Sequence, residues 1–258
     1  MSITTDAIEN QLVDAKNNVR NESEFKTKVL NEWVTSSMFW LSSDNILLNS
    51  KKLKLKDFKG LKCDVGIDLA SVSDLTAIAI RFVKDGHSYF FHKYYLPSES
   101  LNSSVLKEYW KVMHRQKQLI LTPGNVTYYD YILDDLMKLN KTNPIDAVYF
   151  DQWNATQFQI NATHKGLNMI PVRQNFTYLS APTKEFERLF LSGLITLDDN
   201  EITKFCFRNA MLKEVNGNVR ITKENNRSKI DGATATIMTM QGGLLGEEEE
   251  KVYDLEIV

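Results

Sequence analysis

The chain has 258 residues, 31 of them Lys or Arg and 33 Asp or Glu, for a formal net charge of −2. Pro and Gly number only 5 and 11, which excludes a disordered or collagen-like chain and fits one large domain with an appendage. The 2 cysteines, Cys63 and Cys206, lie far apart with no metal-ligand spacing around them, which excludes a disulfide framework and a zinc site and predicts reduced thiols in an intracellular compartment.

The first residues are polar and acidic, which predicts no signal peptide and no secretion. No apolar run approaches the ~20 residues needed to span a membrane. Charge is unevenly placed. Residues 247–258 carry six acids against Lys251, a local −5 that leaves the rest of the chain at +3. The acidic tail reads as solvated, and the mildly basic body can hold phosphates in local clusters.

In chain order, residues 1–60 read as a helical connector or appendage. Phe25, Val29 and Trp33 fall at helical spacing behind a capping Ser23, followed by Phe39, Trp40 and Leu41. A basic stretch, SKKLKLKDFKGLK, leads into the main domain, residues 61–245. Strands are predicted over 63–68, 75–83 and 87–95, the last two joined by a KDGH turn. Helices follow near 101–117 and 128–140. PIDAVYFD is a short buried strand ending in Asp151, and NATQFQINATHKG is a helix stopped by Gly166. LNMIPVRQ is the next strand. APTKEFERLFLSG is an amphipathic helix with Pro182 in its first turn and Gly193 just past its end. A helix near 199–210, a hairpin turning at Asn216-Gly217 and a small-residue helix, IDGATATIMTMQGG, precede the tail, 246–258. Three meandering strands followed by alternating strands and helices make a mixed-sheet α/β domain.

The chemistry centres on carboxylates. Asp68 ends an apolar strand at a small-residue turn, and a bare acid there needs a counter-charge, for which a divalent metal is the obvious candidate. Asp151 ends the fourth strand. Asp231 opens the last helix, where the helix dipole favours its ionised form. If the two strands are neighbours, both of their acids emerge at one sheet edge. Three converging carboxylates repel unless cations sit between them, and hard oxygen ligands suit Mg2+ or Mn2+. Two such ions, about 3.5–4 Å apart, activate a water and stabilise the leaving oxygen in phosphodiester cleavage. Each acid also has a structural alternative. Asp68 can bond its own turn, Asp151 can cap the following helix, and Asp231 can sit third in a capping box begun by Ser228. Asp74 is a fourth candidate ligand, but its place beside Ser73 fits a turn role better. The four histidines, His87, His92, His114 and His164, are scattered and read as structural or surface residues.

The ordered segments VGIDLASVSDLTAIAI, VTYYDYI, AVYFDQWNATQF, PVRQNFTYLSAPTKEFERLFLSGLI and KIDGATATIMTM resemble the C-terminal nuclease domain of tailed-phage large terminase subunits, across residues 63–241. FKTKVLNEWV is similar to the connector between that family's ATPase and nuclease domains. The resemblance implies an RNase H-like fold, a mixed β-sheet flanked by helices with a short N-terminal helical appendage. It implies a metal-dependent endonuclease that cuts double-stranded viral DNA during genome packaging, in the host cell cytoplasm. The implied partners are the terminase ATPase domain, the small terminase subunit and the portal protein. Asp68, Asp151 and Asp231 match the family's metal-binding acids, with Asp74 at a further family position, and the implied cofactor is Mg2+ or Mn2+, two ions. Lys184, Lys223, Arg227 and Lys229 look like DNA-backbone contacts, the alternative being ordinary solvated lysines and arginine. No G-x-x-x-x-G-K-[ST] loop occurs, so the ATP-driven motor half of the family pattern is missing.

Three other functions compete. A non-catalytic DNA-binding or packaging-assembly module would use the aromatic stripe of Phe25, Trp33, Phe39 and Trp40 as an interface. Another RNase H-fold nuclease, a resolvase or transposase, would share the acid trio. An actin-like ATPase would share the strand, Asp and Ser-rich hairpin, but the chain lacks a second Asp-x-Gly loop and a convincing adenine-binding Gly pair.

Overall fold

A computed structural model describes residues 39–70, 74–152, 155–224 and 228–243. The chain enters through α1 (Ser43–Leu48), β1 (Ser50–Lys51) and a 3-10 turn at Leu55–Phe58. It continues with β2 (Cys63–Asp68), β3 (Thr76–Lys84), β4 (His87–Pro97), α2 (Ser100–Ser103), α3 (Lys107–Arg115) and β5 (Ile120–Thr122). Next come α4 (Tyr129–Asn140), β6 (Ile145–Asp151), α5 (Thr156–His164), β7 (Met169–Val172) and α6 (Phe176–Leu191). The last elements are β8 (Ile195–Asp198), α7 (Glu201–Arg208), β9 (Met211–Val215), β10 (Asn218–Thr222) and α8 (Asp231–Thr239).

The main sheet runs β1-β8-β4-β3-β2-β6-β7, with β5 paired to β4. The β2-β3-β4 meander is antiparallel. Every other pairing, including β2 with β6, is parallel. β9 and β10 form a separate hairpin whose turn residues, Asn216 and Gly217, sit at φ 52° and 78°, the left-handed pair that a tight two-residue hairpin demands. The central strands are covered on both faces, so Thr76–Phe82 are all buried rather than alternating. On one face α8 and α6 close a core around Phe186, Phe90 and Ile237. On the other, α4, α5 and Phe58 close a second around Val65, Ile80 and Phe150.

Three local expectations change. The helix near 101–117 is two helices, because Ser104 Oγ takes the Leu106 N–H at 3.1 Å and the Trp110 Nε1–H at 3.2 Å, a side chain competing with the helical ladder. Pro182 lies inside α6 rather than in its first turn. The helix starts earlier because Asn175 Oδ1 accepts from the Tyr178 N–H at 2.9 Å. The Tyr178 carbonyl, four residues before Pro182, would have no helical donor; the Gln241 side-chain amide supplies one at 3.0 Å. Trp40 is not part of an exposed stripe. It is 3% exposed and packs against Phe186 and Phe207, with ring centroids 5.2 and 6.0 Å away, whereas Phe39 is exposed. Phe25, Val29 and Trp33, and the tail 246–258, lie outside the described residues.

Leu41, Ile46 and Phe58 are buried with Trp40 in the two cores, and β1 pairs with β8 at the sheet edge. Among the described residues no helix is long and apolar enough to cross a membrane.

Candidate active site

β2 and β6 lie side by side and point the same way, with Ile67 opposite Phe150. Asp68 and Asp151 are the next residue of each strand, so the two acids leave the sheet together. Asp231 is the first residue of α8, which lies across β2 and β3. Two glycines allow that approach. A Cβ on Gly66 would stand 1.9 Å from the Ala235 carbonyl oxygen, and one on Gly232 would stand 2.2 Å from Tyr94 Oη. All three acids line one cavity of about 450 Å³, together with Asp74, Gln174, Arg220, Lys223 and Thr234.

None of the acids caps a helix in the way an ordinary structural role would require. The N-cap of α5 is Ala155, with no side-chain cap bond, so Asp151 does not cap it. The N-cap of α8 is Ile230, also without one, and Asp231 is first in the helix rather than third. Asp74 does serve its turn. Its Oδ1 accepts from the Leu75 N–H at 2.7 Å and from the Lys229 ammonium. The turn is further tied by the Ala70 N–H, which donates to Thr76 Oγ1 at 3.0 Å.

The acids strain against one another. Burial pushes the Asp68 carboxyl well above the usual carboxylate range, and the charges of Asp231, Asp151 and Asp74 push the same way against the pull of Lys223. Burial, followed by the charge of Asp74, lifts Asp231 to about 6, against a backbone hydrogen bond and the charges of Lys229 and Lys223. Burial and mutual repulsion act in the same direction on both carboxyls, as they must where acids converge away from water.

The basic residues divide. Lys223 is exposed and lines the cavity. Lys229 is held by Asp74. Lys184 donates to the Gly217 carbonyl at 3.0 Å, bracing the β9-β10 turn against α6 outside the cavity lining. Arg227 lies outside the described residues. The sequence reading missed Arg220 and Gln174. The Arg220 guanidinium lies 5.0 Å over the Phe176 ring and donates to the Gln174 carbonyl. The available signal was the alternation in NVRIT, where Val219 and Ile221 point inward and set Arg220 apart from them.

The donor set suits a hard divalent cation. It is all carboxylate oxygen, partly buried and short of counter-charge. Among the described residues no three His, Cys, Asp or Glu side chains form a ready-made metal cage. The thiols offer nothing softer. Cys63 and Cys206 are buried and free, and burial raises both. His87, His92 and His114 are hydrogen-bonded within the fold, as structural histidines are.

A family model described as the terminase large subunit endonuclease domain matches residues 2–247. Protein YmfN of Escherichia coli (strain K12) is 30% identical over 274 residues, covering 98% of this chain and 59% of that protein. The crystal structure of the HK97 bacteriophage large terminase superposes with a TM-score of 0.70 at 23% identity, covering 93% of this chain and 51% of that one. The large terminase nuclease from thermophilic phage G20c superposes with a TM-score of 0.50 at 11% identity, covering 74% and 85%. The chain thus spans between half and two thirds of YmfN and of the HK97 protein.

Proposed function

Because the chain belongs to the terminase large subunit endonuclease-domain family, we propose that it is a divalent-metal-dependent endonuclease that cuts double-stranded viral DNA during genome packaging. The observation that carries this reading is the parallel pairing of Ile67 with Phe150, which delivers Asp68 and Asp151 to one end of the sheet beneath Asp231. The resemblance to large terminases supports partners in the ATPase domain, small subunit and portal protein, and a place in the host cell cytoplasm. The burial of Trp40, Leu41, Ile46 and Phe58 supports a nuclease unit that begins before residue 61, and the acidic sequence of residues 246–258 supports reading them as a separate tail.

In this reading Asp68, Asp151 and Asp231 hold one or two Mg2+ or Mn2+ ions, with Asp74 orienting its turn and restraining Lys229. When bound, such ions supply positive charge to the scissile phosphate and make a water nucleophilic at neutral pH. The protein's own groups do the rest. Arg220 and Lys223 face the substrate phosphates from the hairpin side, and the Phe176 ring and Gln174 carbonyl hold the Arg220 fork in place before DNA arrives. Lys184 steadies the hairpin that carries Arg220. Contacts of this kind read phosphates and not bases, so cutting has little sequence preference.

A plasmid nicking assay tests the reading, with Mn2+, Mg2+ or EDTA and with Asp68→Ala and Asp231→Ala beside the parent. Relaxation and linearisation that need metal and vanish in both variants are expected. Undiminished cutting by the variants, or none by the folded parent with either metal, would sink it and leave a packaging-assembly module as the better description.

A further inference from the structure

A chain of polar side chains crosses the sheet from β8 to the first turn of α8. Asp198, the last residue of β8, accepts on Oδ1 from His92 Nδ1 at 2.6 Å and from Thr203 Oγ1 at 3.3 Å, and on Oδ2 from the His92 backbone N–H at 3.1 Å. His92 Nε2 meets Thr236 Oγ1 at 2.9 Å. Thr236 Oγ1 in turn donates to the Gly232 carbonyl at 2.7 Å. Tyr94 Oη joins Thr203 Oγ1 at 2.9 Å and fills the space where a side chain on residue 232 would stand. His92, Thr203 and Thr236 are all buried.

Apolar side chains alone would glue α8 to the sheet. They would not fix how the helix is turned about its own axis, because apolar contact is non-directional whereas hydrogen bonds in a dry interior are directional and mutually reinforcing. This network terminates on Gly232, the neighbour of Asp231. We propose that Asp198, His92 and Thr236 are positioning residues that set the rotation of the first turn of α8 and so aim the Asp231 carboxylate into the cavity. The inference rests on the nuclease reading above, in which Asp231 is a metal ligand. It is the arrangement of outer partners that orient a ligand without touching the ion.

The test is Mn2+ binding, read from the electron paramagnetic resonance of free Mn2+ titrated with parent, Thr236→Val and Thr236→Ser, alongside thermal melting. Valine keeps the shape of Thr236 and loses its hydroxyl; serine keeps the hydroxyl. Thr236→Val is expected to weaken Mn2+ binding about tenfold or more, and Thr236→Ser by no more than about twofold. A purely structural Thr236 would lower the melting temperature of Thr236→Val and leave its Mn2+ affinity alone, which would overturn the inference with the nuclease reading intact. Equal loss in the valine and serine variants would also overturn it. A folded parent that binds no Mn2+ would defeat the nuclease reading and this inference with it. His92→Gln provides a second variant with the same expected loss should Thr236→Val fail to fold.

Discussion

Gly66 and Ala235 meet so closely that a methyl group on Gly66 would stand 1.9 Å from the Ala235 carbonyl oxygen. That single contact aligns two acids. Asp68 lies two residues beyond Gly66 and so on the same face of β2, and Asp231 lies four residues before Ala235 and so on the same side of α8. Gly66→Ala must therefore push the helix away from the strand or rotate it. A loss of about 2–3 kcal/mol in chemical denaturation is expected, with Mn2+ binding impaired beyond what the lost stability explains.

The repulsion at Asp231 has a stability signature. Its carboxyl sits at about 6 in the folded chain against 3.8 ordinarily, so the metal-free fold binds that proton more tightly than the unfolded chain does. The stabilisation is fully present below about pH 3.8 and is lost as pH rises to about 6. Asn at this position stays neutral throughout. Metal-free Asp231→Asn should equal the parent in stability near pH 4 and exceed it by on the order of 1–3 kcal/mol at pH 7. Urea denaturation at both pH values checks this; a variant less stable than the parent at pH 7 would contradict it.

Metal binding should show the same group from the other side. Protons compete with the cation for Asp231, so Mn2+ affinity in the parent is expected to fall as pH drops through about 6. Titrations at pH 5.5 and 7.5 separate the two regimes. An affinity independent of pH across this interval would place the cation elsewhere.

Arg220 is held by Phe176 and Gln174, and no acidic partner for it is found among the described residues. It lines the cavity beside the acids, where a guanidinium can meet a phosphate. Arg220→Ala should weaken binding to a DNA duplex in EDTA, measured by fluorescence anisotropy, and reduce the slope of log affinity against log salt by about 1. Arg220→Lys should restore only part of the affinity, because an ammonium neither stacks nor bonds as a fork.

Trp40 anchors the segment before β2 to the core. Trp40→Ala should cost about 3–5 kcal/mol. Trp40→Phe should be far milder, since the buried Nε1 has no hydrogen-bond partner among the described residues. If the alanine variant is as stable as the parent, residues 40–58 are an appendage after all.

Local patterns carried the fold class and the site-bearing elements. The apolar runs of β2, β3 and β4, the Asn216-Gly217 hairpin and the small-residue helix α8 all lie where propensity and turn chemistry put them. What escaped depended on distant partners. Pro182 looked like the start of a helix because proline favours that position, yet Asn175 offered a cap upstream and Gln241, far along the chain, covered the carbonyl that proline leaves bare. Trp40 looked exposed because Phe186 and Phe207, which bury it, are more than a hundred residues away. Arg220 was passed over because an arginine in a hairpin is ordinarily solvated; the aromatic ring beneath it marks it out only in three dimensions. That β2 neighbours β6, on which the convergence of Asp68 and Asp151 depends, is a property of the whole sheet and of no segment within it.

The order of the sheet has a consequence for how the chain reaches its final state. The cavity draws one acid from β2, one from β6 and one from α8, so closing it requires contacts between residues 68, 151 and 231. Each such pairing closes a long loop, and the entropy of that closure opposes it. The antiparallel β2-β3-β4 meander is local and free to form early, but it brings only Asp68. The three acids therefore stand together only in a chain whose last helix has docked on the sheet.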